Sequence, residues 1–105
     1  MSENPVAPFT HRALGPMLRL TLAEGPSFAF THEEARTLAR AMKAVAEGKS
    51  KVDEIYMSPI ASDRDFSAKV TSEGLVLEAL DPALHLGWPE VATISAALAE
   101  GAEPG

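Results

Sequence analysis

Apolar and polar residues alternate along several short stretches of the chain and recur at helical spacing along two others. Leu18, Leu20 and Leu22 alternate with Arg19 and Thr21, the period of a half-buried strand over residues 17–23. Glu24, Gly25, Pro26 and Ser27 read as a turn, and Phe28 and Phe30 flank Ala29 in a short second strand. Residues 17–30 therefore read as a β-hairpin. Thr31, His32, Glu33 and Glu34 then match a capping box, in which the Thr31 hydroxyl accepts from the Glu34 amide while Glu34 reaches back. Ala35, Leu38, Ala39, Met42, Val45 and Ala46 follow on one helical face, with Gly48 where a terminating glycine belongs. The spacing predicts a helix over residues 32–47.

A third strand is expected over residues 51–58, with Ile55 and Met57 on one face and Val52 and Tyr56 on the other. Pro59 ends it. Phe66, Ala68 and Val70 alternate with Asp65, Ser67, Lys69 and Thr71 in a fourth strand. Ser72, Glu73 and Gly74 suit a hairpin loop into a fifth strand over residues 75–80, closed by Asp81 and Pro82. Residues 83–88 read as an apolar loop holding the single Trp, and Val91, Ile94 and Leu98 give a second helix a narrow buried stripe that ends at Gly101.

Residues 1–16 carry Pro5, Pro8 and Pro16 without periodicity and read as a flexible arm, in which Phe9 either docks on the domain or meets a partner. Residues 17–101 read as a single α+β domain and residues 102–105 as a short tail. The order ββα-βββ-α predicts a mainly antiparallel five-stranded sheet with both helices packed on one face. The leucines and phenylalanines of the hairpin, with Ile55, Phe66 and Leu75, would meet Leu38, Met42, Ile94 and Leu98.

A length of 105 residues allows one domain, and 46% hydrophobic with 23% charged residues is the composition of a folded chain. The absence of cysteine excludes a disulfide framework and a thiolate nucleophile, and removes the usual structural zinc sites. The net charge of −6 argues against a general nucleic-acid binder. That charge is unevenly spread: residues 1–52 hold seven basic and five acidic side chains, a balance of +2, whereas residues 53–105 hold two and ten, a balance of −8. No secretory signal pattern and no membrane-length apolar run occurs, so the cytoplasm is the expected compartment.

Chemistry does not assemble from sequence spacing. His11, His32 and His85 are isolated, and none pairs at the spacing that puts two imidazoles on one ion. Asp63, Arg64 and Asp65 form a D-x-D, but the intervening arginine reads as ordinary charge balance rather than a cation site. No serine lies in a nucleophile elbow, and the scattered glycines form neither a dinucleotide fingerprint nor a phosphate loop. The expectation is a protein without cofactor or metal that is not an enzyme. The run FTHEEARTLARAM is similar to the opening of small bacterial α+β proteins, a likeness confined to a capping box and an Ala/Leu helix, and no site residue is carried over from it.

Surfaces remain. Leu84, Leu86 and Trp88 would make an apolar hot spot if their loop does not close the core, and Tyr56 and Val76 lie on the second face of the sheet. These five residues are the candidates for binding a protein partner or a second copy. An alternative is an acidic inhibitor or immunity-type protein, masking a basic site on a nuclease or nucleic-acid-binding partner with Asp53, Glu54, Asp63, Asp65, Glu78 and Asp81. Arg36, Arg40 and Lys43 share a stripe of the first helix, which reads either as a solvated, salt-bridged face or as an anion patch. A third alternative is a small enzyme or ligand carrier with a pocket near His85.

Overall fold

A computed structural model describes residues 5–22, 27–61, 65–80 and 82–102. The chain is α+β, and the described residues form two helices and two antiparallel sheets. The first sheet has the order β1-β2-β3, from strands Val6–His11, Gly15–Thr21 and Ser27–Thr31. Helix α1, His32–Ala46, follows directly. The second sheet has the order β4-β5-β6-β7, from strands Glu54–Met57, Phe66–Val70, Gly74–Leu77 and Leu84–Gly87, and helix α2, Trp88–Ala102, completes the order.

This corrects the expected single five-stranded sheet. Two segments without a long alternating pattern are strands. Residues 6–11, expected within a flexible arm, pair with β2 so that Val6 faces Leu20 and Phe9 faces Met17. Pro8 is accommodated because β1 is an edge strand, where one side of the ladder needs no donor. Residues 84–87, expected as loop, pair with β6 and set Leu86 opposite Leu75. Each sheet is a meander of consecutive strands, and α1 interrupts the run between β3 and β4, which leaves two sheets rather than one.

The capping box forms as the sequence requires. The Glu34 amide donates to Thr31 Oγ1 at 3.1 Å and the Thr31 amide donates to Glu34 Oε1 at 2.9 Å. Glu34 Oε2 also accepts from the Ile60 amide at 3.1 Å, which ties the segment after β4 to the start of α1. Helix α2 begins at Trp88, one residue before Pro89, and the Gly87 amide donates to Glu90 Oε1 at 3.2 Å.

The core gathers the inner faces of both sheets against the helix pair. Leu18, Leu20, Phe28 and Phe30 come from the first sheet, Phe66, Leu75 and Leu86 from the second, and Leu38, Met42, Val91 and Leu98 from the helices. The sheets meet at three rings: Phe66 stands edge-on to Phe28 at 5.3 Å and to Phe30 at 6.4 Å. Such edge-to-face pairs add about 0.5–1.5 kcal/mol beyond the area they bury. Close approach of β6 and β7 depends on Gly74, whose φ is +151° and whose hypothetical Cβ would lie 1.9 Å from the Leu86 carbonyl oxygen.

The helices are joined by polar contacts. Ser95 is buried and its hydroxyl donates to the Ala39 carbonyl at 2.8 Å. Arg36 Nη1 donates to the Ala102 carbonyl at 3.3 Å, placing a cation at the end of α2 where unpaired carbonyls favour it.

Candidate functional site

Strand pairing sorts the candidate residues by face. In the second sheet Ile55, Phe66, Ala68, Leu75, Leu77 and Leu86 point inward, because each is buried and each alternates with an outward neighbour. Glu54, Tyr56, Ser67, Lys69, Val76 and His85 therefore share the outer face, with Glu54 opposite Lys69, Tyr56 opposite Ser67 and Val76 opposite His85.

Tyr56 dominates that face. It is 59% exposed, yet its hydroxyl donates to Asp65 Oδ2 at 2.5 Å. The other oxygen of Asp65 accepts from the Ser58 hydroxyl at 2.9 Å. The hydrogen bonds from Tyr56, first, and from Ser58 hold the Asp65 carboxyl below the ordinary carboxylate range. The same bond to Asp65 is the main cause that holds the Tyr56 phenol above its ordinary value of 10.0. Nearby, the Ser67 hydroxyl donates to Glu54 Oε2 at 2.9 Å, and Lys69 Nζ lies 3.5 Å from Glu78 Oε1. Asp53 is exposed beside this sheet, whereas Asp63 and Asp81 lie outside the described residues.

The other apolar candidates are placed differently. Leu86 is only 3% exposed, and Leu84 and Trp88 are half-buried against the core. Trp88 Nε1 donates to the Ser72 carbonyl at 3.1 Å, so the indole is packed and satisfied. Residues 83–88 thus close the core with Leu86, and Val76 is half-buried on the outer face.

Arg36, Arg40 and Lys43 are brought together on one wall of a groove of about 410 Å³ between α1 and α2. Ala92, Ala96 and Ala99 form the facing wall. Among the described residues neither Arg40 nor Lys43 makes an ion pair, and Glu47, at the end of the groove, turns to Lys49 at 3.2 Å. His85 is exposed and lines neither this groove nor a cavity of about 290 Å³ beside Leu22, Leu86 and Thr93. Among the described residues no three His, Asp or Glu side chains stand together as metal ligands would. Among the described residues no helix is long and apolar enough to cross a membrane.

Sequence reasoning missed the alanine wall of α2. Its spacing at 92, 96 and 99 was available, but alanine carries no hydrophobic signal strong enough to mark a face. It also missed Ile60, which is 70% exposed and whose amide donates to Glu34 Oε2. No protein-family model, curated protein or solved structure matches the chain.

Proposed function

We propose that the chain is a non-enzymatic interaction module, which binds a protein partner carrying a basic site through the outer face of the β4–β7 sheet. The observation that carries this role is Tyr56, an exposed ring whose hydroxyl is already fixed by Asp65. An aromatic anchor held in one orientation loses little further freedom on binding. Around it stand Glu54, Asp65 and Glu78 with Lys69, an excess of negative charge on one face. Such a rim complements a basic surface of the kind a nuclease or nucleic-acid-binding protein presents, and it speeds encounter with that surface.

A two-fold dimer through the same face is a poorer fit, because it sets this excess of carboxylates against its own copy. Leu86 and Trp88 contribute by packing beneath the sheet rather than by touching the partner. Affinity capture from the native cell extract, with wild-type and Tyr56→Ala baits, tests the role. The expected result is a partner with a basic surface that the wild-type chain retains, that rising salt releases, and that Tyr56→Ala fails to hold. Equal retention by the two baits overturns it.

A further inference from the structure

The geometry points to a second, independent docking site: the α1/α2 groove receives an acidic amphipathic helix from another protein. Arg36, Arg40 and Lys43 stand at i, i+4 and i+7 on α1, and Ala92, Ala96 and Ala99 stand at the same spacing on α2. Residues so spaced line one stripe of a helix, so the groove runs along both helices for about two turns, roughly 11 Å. Its walls are short where they are apolar. Alanine side chains let a third helix approach at the separation of packed helices, about 8–10 Å. Among the described residues the floor offers no free hydrogen-bonding group, since the Ser95 hydroxyl already donates to the Ala39 carbonyl. An apolar stripe fits that floor better than a polar metabolite does.

Charge chooses the occupant. Arg40 and Lys43 have no acidic partner among the described residues, in a chain whose net charge is −6. Cations without an acidic partner among the described residues, along one edge of an apolar groove, match carboxylates that recur at i, i+4 and i+7 on the incoming helix. No aromatic side chain lines the groove to stack a base, which separates it from a single-stranded nucleic-acid site.

A synthetic helical peptide with a Leu/Ala stripe flanked by glutamates at i, i+4 and i+7 is the probe. Backbone amide shifts of the full-length chain are followed as it is added. Shifts confined to α1 and α2 are expected, with about tenfold weaker binding of the glutamine-substituted peptide or of the Arg40→Glu/Lys43→Glu variant. Ala96→Phe, a change at an exposed position, fills the groove and abolishes the shifts while the thermal midpoint stays near wild type. Tyr56→Ala leaves peptide binding intact, so failure here is distinguishable from failure at the sheet face. Equal binding of the two peptides, shifts centred on β4 and β5, or binding of an RNA oligonucleotide or anionic vesicles in place of the peptide overturns the proposal.

Discussion

The outer face of the second sheet and the groove between the helices are opposite in charge and opposite in how that charge is managed. On the sheet, the polar groups answer one another: Tyr56 and Ser58 hold Asp65, Ser67 holds Glu54, and Lys69 faces Glu78. In the groove, Arg40 and Lys43 are left without acidic partners among the described residues. A face whose side chains are already ordered binds with a small entropic cost, so that a fixed shape adds to the charge complementarity that salt screens. A row of uncompensated cations depends on the charge of what arrives and weakens steeply as salt rises. The lopsided charge of the two chain halves thus becomes two surfaces with different rules.

Both surfaces stand on one core, and the largest effect comes from breaking it. Phe66→Ala removes the ring that joins the two sheets, and a loss of about 3–5 kcal/mol in denaturant unfolding is expected, with both binding activities lost together. Gly74→Ala acts next. Its new methyl would meet the Leu86 carbonyl, so β6 and β7 must part, at a cost of about 3 kcal/mol. Unfolding midpoints measure it, and an unchanged midpoint would contradict the close approach of those strands.

Glu34→Ala is smaller and more selective. It frees the Thr31 and Ile60 amides, one at the start of α1 and one on the segment leading away from the sheet face. A loss of about 1–2 kcal/mol is expected. Amide hydrogen exchange should speed at both places, and exchange that speeds only at Thr31 would show that Glu34 does not couple the two regions.

The smallest effect belongs to the Tyr56–Asp65 pair. Asp65 is more acidic in the folded chain, so its contribution is present above the ordinary carboxylate range and fades as pH falls through the lowered value. Tyr56 is less acidic when folded, so its contribution is complete below 10.0 and fades as pH rises through the raised value. Because the chain holds a single tyrosine, ultraviolet titration of phenolate reads Tyr56 alone. Asp65→Asn should return that titration toward 10.0; no movement would mean that the carboxylate is not its cause.

How much of this was legible in the sequence depends on how local each feature is. Helix α1 was readable because Thr31, Glu34 and the apolar stripe act within a few residues of one another. Strands β2 and β5 were readable from alternation. Strand β1 was not, because Pro5 and Pro8 speak locally against a strand and only pairing with β2 overrides them. Strand β7 offers a single His85 between Leu84 and Leu86, too short a pattern to separate from a loop until Leu75 is set opposite Leu86. The same limit applies to the surfaces. Outward placement of Tyr56 followed from strand period, and the basic stripe from helix period. The packing of Trp88 and the meeting of an alanine wall with Arg40 are tertiary facts that no single element carries.

Hydroxyl-radical footprinting of the chain with its captured partner reads the two aromatic candidates in one experiment, since the chain has one tyrosine and one tryptophan. Oxidation of Tyr56 should fall severalfold in the complex while that of Trp88 stays as it is in the free chain. Protection of Trp88 with Tyr56 left as reactive as before would contradict the sheet face as the partner surface.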